Sequence, residues 1–367
     1  MKTKAIVLSA IFVLAAALAI ALVSCSSGGN DKASNVATQA PEVTSSDAPS
    51  DEPVAQVAAQ VSPAVVQVNV KGTQNTPVGP QSEQGIGSGV IYRKDGYIIT
   101  NNHVVQDANE VNVAFADGST ENAEVVGKDP TTDIAVVKVN RSDLPAATFA
   151  GGSGLTVGQL AVAIGSPQGF QSTVTSGVIS GLNRSLPSKL TGNSQESQAL
   201  VDLIQTSAPI SPGNSGGALA IRDGEIAGIN VAYLPPQETG AESIGFAIPS
   251  EAATSIADQL IQNGRATHAY LGIGYTDLSQ EIADQYGFSV QKGVIVTSVA
   301  SGSPAADAGL RPEDVITALG SSNITNAGDL LAALRGYNPG DNATLTVVRG
   351  GKGNQEDIQV KLGERQQ

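Results

Sequence analysis

The sequence predicts a mostly β chain of two folded domains, on three observations. First, between about Val61 and Pro249 runs rich in Val, Ile and Thr recur with Gly, Pro, Asn or Asp between them: "AVVQVNV", "GSGVIY", "YIITNNHVV", "VNVAFA", "AEVVGKD", "IAVVKV", "LAVAIG", "TVTSGVISGL", "DLIQTS", "GALAI", "EIAGINVAY" and "SIGFAI". Many short runs so spaced form an antiparallel barrel or sandwich, not strands alternating with helices. Second, "RKDG", "FADG" and "IRDG" each set Asp-Gly between two runs, which is a hairpin signal. Third, beyond "EAATSIADQLIQNGRA", whose apolar spacing is helical, strand-like runs alternate with short capped helices in an α+β pattern. The predicted boundaries are 60–250 for the first domain, 251–266 for a helical linker and 267–365 for the second domain.

Ahead of these, "MKTK" is a basic start and "AIVLSAIFVLAAALAIALV" an uncharged apolar run ending at Leu22-Val23-Ser24-Cys25. Residues 1–24 read as an export signal. The last four positions resemble a bacterial lipobox, whose cleavage leaves Cys25 as a lipidated N-terminus. The apolar run is also nearly long enough for an uncleaved transmembrane helix. Both readings place the body of the chain outside the cytoplasm, tethered to the membrane. Cys25 is the only cysteine, so the mature fold holds no disulfide and relies on packing. Residues 25–59 are rich in Ser, Asp, Pro and Ala; they bury too little to offset ordering entropy and read as a disordered tether.

Composition excludes several function classes. The 367 residues carry a formal charge of −14, and removal of Lys2 and Lys4 with the signal takes it to −16. An acidic surface is unsuited to releasing counterions from nucleic acid, so no such partner is expected. Two histidines and one cysteine exclude a thiolate or multi-histidine zinc site, and no calcium-loop spacing appears, so no metal or other cofactor is expected.

"IQTSAPISPGNSGGALAI" wedges Ser215 among glycines. Such a serine is a turn residue or a nucleophile. Gly213 to Gly217 also fits the G-x-S-x-G elbow, but that motif needs a helix next, and "GALAIRDGEIAGINVAY" reads instead as strand, Asp-Gly turn, strand. A serine attacks an acyl carbon only with a base to take its proton, usually a histidine steered by a carboxylate. His103 ends a predicted strand. His268, in "GRATHAYLG", lies in an apparent linker, and its removal is expected to change turnover little. Asp133, at the mouth of the apolar run "IAVVKV", is a carboxylate entering a core unless it caps the turn after Pro130, as Asp129 could. The order His103, Asp133, Ser215 on a β chain is one of three known orders for such a triad.

"GSGVIYRKDGYIITNNHVV", "VVGKDPTTDIAVVKV", "AVAIGSPQGFQSTVTSGVIS", "IQTSAPISPGNSGGAL", "GEIAGINVAY" and "SIGFAIPS" resemble the successive signatures of the HtrA, or trypsin-like Do, serine protease family. The resemblance covers nearly all of Val61 to Gln366. It implies two six-stranded barrels of chymotrypsin type, with His103, Asp133 and Ser215 as the triad in the cleft between them. The amides of Gly213 and Ser215 would form the oxyanion hole, helped by the tight turn that Gly213 and Gly216 permit. Chymotrypsin-like folds take the base of the S1 pocket from the residue six before the serine, here Pro209, and from the strand after it, here Ile229, Asn230, Val231 and Ala232. No acidic residue stands there, so cleavage after small or medium aliphatic residues is expected. The strand's backbone would pair with extended, unfolded polypeptides. Ser207 and Ser211 depart from the family's usual Asp and Asn on the activation loop, which puts that loop's resting order in question. Residues 183–202 fall where the family carries a regulatory loop.

The second domain, with "YLGIGY", "KGVIVTSV", "SPAADAGLRPEDVITALG", "NAGDLLAALRG" and "NATLTVVRGG", resembles a PDZ domain. Ser303-Pro304 opens one helix and Gly309 ends it. Tyr270, Leu271, Gly272 and Ile273 would be the loop whose amides capture a peptide C-terminus. One or two of Leu330, Leu331 and Leu334 would line the groove, the rest the core. The family resemblance also implies envelope protein quality control and a homotrimer. A catalytically silent chaperone or adhesion scaffold on the same fold is the alternative.

Overall fold

A computed structural model describes residues 52–76, 79–151, 154–166, 172–186, 200–234 and 244–365. The export signal, Cys25 and residues 187–199 lie outside these.

The described chain opens with a helix, α1 (Pro53–Val61), inside the stretch read as tether. Nine residues are marginal as an isolated helix; here Val57 and Val61 are buried in the core shared with the second barrel, and Gln60 Nε2 donates to Asp223 O at 3.3 Å. For its last residues the tether reading is therefore corrected: residues from Pro53 on are helical, because two valines one turn apart find an apolar surface that a purely local reading does not contain.

Six strands come next, β1 (Val65–Thr76), β2 (Gly79–Ile91), β3 (Tyr97–Asn101), β4 (Ala108–Ala114), β5 (Thr120–Asp129) and β6 (Ile134–Val139), closing in the order β1-β2-β3-β6-β5-β4. A one-turn helix, α2 (Asn102–Val105), leaves β3. The second barrel, β7 (Leu160–Gly165), β8 (Thr173–Leu186), β9 (Leu200–Thr206), β10 (Ala218–Ala220), β11 (Ile226–Leu234) and β12 (Ile244–Pro249), closes as β10-β11-β12-β9-β8-β7. The three Asp-Gly sites turn as expected, with Gly96, Gly118 and Gly224 amides bonded to the carbonyls of Arg93, Phe115 and Ile221.

Strand periodicity sorts the side chains. In β7, Ala161 and Ala163 fill the interior of the second barrel, while Val162 and Ile164 face the seam between the barrels. In β6, Ala135, Val137 and Val139 fill the first barrel and Ile134 and Val136 join the same seam. Both faces of β6 are thus buried, which is why "IAVVKV" reads as an apolar run without alternation. The predicted linker is α3 (Ser250–Asn263), whose Ala253, Ile256, Ala257 and Leu260 pack into the seam. Tyr92 pins it, donating to Asp258 at 3.0 Å; burial, then the bond to Asp258, push the phenol up to about 12.

The second domain holds a sheet built on β14 (Ile273–Leu278), β15 (Gly293–Val299), β16 (Val315–Leu319), β18 (Asn342–Val348) and β19 (Gln355–Lys361), with β17 (Ser322–Asn323) paired to β16, and a ribbon of β13 (Ala269–Tyr270) with β20 (Gly363–Glu364). Its helices are α4 (Gln280–Tyr286), α5 (Pro304–Asp307) and α6 (Ala327–Arg335). Ser303 caps α5 by accepting from the Ala306 amide at 3.2 Å. Leu330 and Leu334 are core residues and Leu331 is half-buried.

Candidate active site

β3 and β6 pair in a register that sets Asn101 opposite Ile134. Two residues past Asn101, α2 carries His103; one before Ile134 stands Asp133. The pairing therefore delivers histidine and carboxylate face to face. Asp133 Oδ2 lies 2.7 Å from His103 Nδ1, and Oδ1 accepts the His103 amide at 2.9 Å. The Asp133 carbonyl accepts from the Asn102 amide and from Asn101 Nδ2, each at 3.0 Å. An ionised carboxylate only accepts, so Nδ1 carries the ring proton and Nε2 is left with its lone pair. Burial works to lower the His103 pKa, but the charge and hydrogen bond of Asp133 outweigh it and raise the group above its ordinary value.

Ser215 sits between Gly213 at φ 97° and Gly216 at φ 81°. At Gly216 a Cβ would stand 2.1 Å from the Ser88 carbonyl oxygen, so only glycine fits. Among the described residues the amides of Gly213 and Ser215 have no acceptor. Those on either side do: Asn214 N bonds to Ser211 O, Gly216 N to Asn230 O and Gly217 N to Asn214 O. The β11–β12 ladder skips Val231, and its free carbonyl accepts Ser215 Oγ at 3.4 Å. Ser215 Oγ is thus turned toward β11, without a hydrogen bond to His103 among the described residues.

The expected substrate-binding positions divide. Ile229 is fully buried in the seam core and Asn230 Nδ2 is spent on the Ala218 carbonyl. Their side chains offer a substrate no surface, because Ile229 lies in the seam between the barrels and Asn230 is fully buried. Val231 and Ala232 supply backbone beside Ser215. Pro209 is exposed, its carbonyl accepting from Thr175 Oγ1 at 2.7 Å. Ser207 is tied to β8: its hydroxyl accepts the Val178 amide and its amide donates to the Val178 carbonyl, both at 3.1 Å.

Sequence reasoning missed Ser88. It is fully buried on β2 and reaches across the cleft: its hydroxyl donates to Gly213 O at 2.6 Å and accepts the Ser166 amide at 2.8 Å, while its own amide donates to Ser215 O at 2.8 Å. Thr100 Oγ1 then donates to Ser88 O at 2.7 Å. The only signal was a hydroxyl in the apolar end of β2, where the chain reads Gly-Ile-Gly-Ser-Gly-Val-Ile.

In the second domain Tyr270 ends β13, Leu271 packs into the core, Gly272 takes φ 83° and Ile273 opens β14. The Leu271 carbonyl accepts from the Ala305 amide, and the Gly272 carbonyl from the Ala300 amide and the Ser303 hydroxyl. Among the described residues the Leu271 and Gly272 amides have no acceptor. The domain meets the second barrel through α6, where Arg335 pairs with Asp202 and donates to Val201 O at 3.1 Å, and Asn183 Nδ2 donates to Asp329 at 3.0 Å.

Comparison with known proteins agrees with this architecture. A family model described as a trypsin-like peptidase domain matches residues 87–229, and one described as a PDZ domain matches 269–362. The chain is 41% identical over 274 residues to a probable periplasmic serine endoprotease DegP-like of Chlamydia muridarum, covering 74% of this chain and 53% of that relative's length. It is 38% identical over 320 residues to the serine protease Do-like HtrB of Bacillus subtilis, covering 82% and 69%. Among solved structures, the HtrA-type protease AlgW with decapeptide superposes with TM-score 0.66 at 31% identity, covering 86% of this chain and 99% of that one. The chain spans about half the length of several DegP-like relatives and most of the shorter ones. With two closed barrels, a PDZ domain and these relatives, the chain belongs to the HtrA-type, Do-like family of serine proteases.

Proposed function

We propose that this chain is a serine endopeptidase of the cell envelope that cleaves unfolded polypeptides. The observation that carries the proposal is the His103–Asp133 pair at 2.7 Å, which leaves Nε2 free, with Ser215 in a glycine-rich turn where its own amide and that of Gly213 have no acceptor among the described residues. Asp133 holds the imidazole in one tautomer, His103 Nε2 takes the Ser215 proton, and Ser215 Oγ bonds to the scissile carbonyl carbon. The oxyanion that forms is received by the Gly213 and Ser215 amides. His103 then gives its proton to the leaving amine, and water repeats the cycle on the acyl-enzyme. For this, Ser215 Oγ exchanges its long bond to Val231 O for one to His103.

Val231 and Ala232 pair with an extended substrate, which favours unfolded chains. The loop Tyr270 to Ile273 captures substrate C-termini through its amides. The names of the relatives support an exported location, and Leu22 to Cys25 supports attachment by lipid at Cys25 on the outer face of the membrane. Loss of lipid labelling in Cys25→Ser checks that attachment. The family resemblance supports a homotrimer, which sedimentation of the full chain tests.

A silent scaffold is favoured by one observation, the turn of Ser215 Oγ away from His103. A serine-directed phosphonate separates the two: covalent labelling of the wild type and none of Ser215→Ala supports the peptidase. Ser215→Ala should lower turnover by roughly four to six orders of magnitude with the fold intact. An unlabelled, folded wild type that does not cleave casein would establish the scaffold.

A further inference from the structure

The second histidine forms the same kind of pair as the first. His268 Nε2 lies 3.0 Å from each carboxylate oxygen of Asp129, whose side chain is fully buried, and His268 itself is only 13% exposed. Asp129 ends β5 in the first barrel, and His268 stands immediately before β13. The pair therefore joins the PDZ domain's first residues to the protease. His268 is itself fixed from both sides. Its carbonyl accepts the Arg365 amide at 3.0 Å, and the amide of neighbouring Thr267 donates to Gln259 of α3 at 3.0 Å.

Asp129 stands four residues before Asp133. Its carboxylate also accepts the Thr131 amide at 3.3 Å, the Thr132 amide at 3.2 Å and the Thr132 hydroxyl. One carboxylate thus gathers the turn that delivers Asp133, and Asp133 leaves that turn at φ 59°. A left-handed non-glycine residue is uncommon, although aspartate adopts it more readily than most, and here the hydrogen bonds of the turn hold it.

A buried carboxylate is costly unless paired. Burial works to push the Asp129 carboxyl up; the hydrogen bond and charge of His268, followed by Thr132 and Thr131, outweigh it and hold the group below its ordinary value. Without His268 the anion keeps the neutral donors of its own turn and, without a hydrogen bond, the nearby charge of Arg335 on α6. Were it to protonate instead, the group would lose acceptor capacity just where the Thr131 and Thr132 donors converge.

We propose that His268 is a positioning residue for the reaction: it clamps Asp129, Asp129 shapes the 129–133 turn, and the turn aims Asp133 at His103. The inference rests on reading His103, Asp133 and Ser215 as the triad. It departs from the linker reading, under which removing His268 changes turnover little. By this route the PDZ domain supports the protease chemistry whether or not it holds a peptide.

The test uses His268→Ala, His268→Gln and Ser215→Ala in the full chain, assayed on a short fluorogenic peptide. His268→Ala lowers kcat on the order of tenfold, as expected for a small misplacement of a catalytic group, with KM changed less than about twofold. The acid limb of its kcat profile moves to lower pH, because His103 loses part of the support of Asp133. His268→Gln keeps an N–H donor toward Asp129 and recovers most of the loss. Should His268→Ala not fold, Asp129→Asn carries the test, since it keeps the side-chain shape and removes the charge that His268 clamps. A folded variant with unchanged kcat and an unmoved acid limb overturns the proposal, as does a lower melting temperature with no kinetic change. Ser215→Ala separates the levels: if it still cleaves, the triad reading falls and this proposal with it; if it is dead beside a His268→Ala of wild-type kinetics, this proposal alone falls.

Discussion

Ser88 Oγ donates to the Gly213 carbonyl at 2.6 Å, tying the first barrel to the loop of the second that carries Ser215. The two amides proposed to receive the oxyanion thus belong to a loop whose carbonyls are held from across the cleft. Ser88→Ala removes the hydroxyl that donates to Gly213 O and accepts the Ser166 amide; loss of the donor to Gly213 O alone costs about 1–3 kcal/mol. The expected outcome is a lower melting temperature and a fall in kcat of at least about tenfold, since loss of oxyanion geometry acts on the transition state. Thermal unfolding and kcat on one peptide substrate check it.

The His103–Asp133 pair sets the pH dependence. His103 is raised above its ordinary value of about 6.5, and it must be neutral to take the Ser215 proton. Activity should therefore rise with pH through a midpoint above 6.5. The stability contribution runs the other way. A raised histidine stabilises the fold fully below its unfolded pKa, and that contribution is lost as pH rises through the folded value. A kcat/KM profile and melting temperatures across roughly pH 5 to 9, for wild type and His103→Ala, report both. A profile flat through this range in the folded wild type contradicts the assignment of His103 as base.

Arg335 and Asp202 join α6 to β9 with both side chains mostly buried. Burial pushes the Asp202 carboxyl up and the Arg335 guanidinium down, and each is opposed by its partner. Arg335→Ala leaves Asp202 without its cation, and should loosen the PDZ domain from the second barrel at a cost of about 2 kcal/mol, below the usual range for a broken buried pair because some solvent reaches it. Faster amide exchange along α6 and β9, with the first barrel unaffected, is the expected reading.

The amides of Leu271 and Gly272, which have no acceptor among the described residues, predict recognition of a carboxylate by the PDZ domain. Peptides with a hydrophobic C-terminal residue and a free acid should bind the full chain, and their amidated forms should bind at least about tenfold more weakly, as loss of a charge-assisted hydrogen bond implies. Fluorescence polarisation on the two forms decides it. Equal binding would remove the loop from carboxylate recognition.

What was legible in the sequence is what neighbours in the chain decide. Asp-Gly between apolar runs set the hairpins, Ser303-Pro304 set the start of α5, and apolar spacing placed α3. His103, Asp133 and Ser215 were named because their residue types and order fit a triad and because six ordered motifs resemble those of the HtrA family; β3–β6 pairing brings the first two into contact. What only the tertiary structure decided lies in contacts between distant segments. Ser88 meets Gly213 across 125 positions and His268 meets Asp129 across 139, and no local pattern marks either serine or histidine for its partner. α1 exists because the seam accepts Val57 and Val61. Ile229 is core and not substrate surface because the two barrels pack on one another and bury it in the seam. Local propensity is written over a few residues; burial and the pairing of polar groups are settled when strands far apart in sequence close on one another.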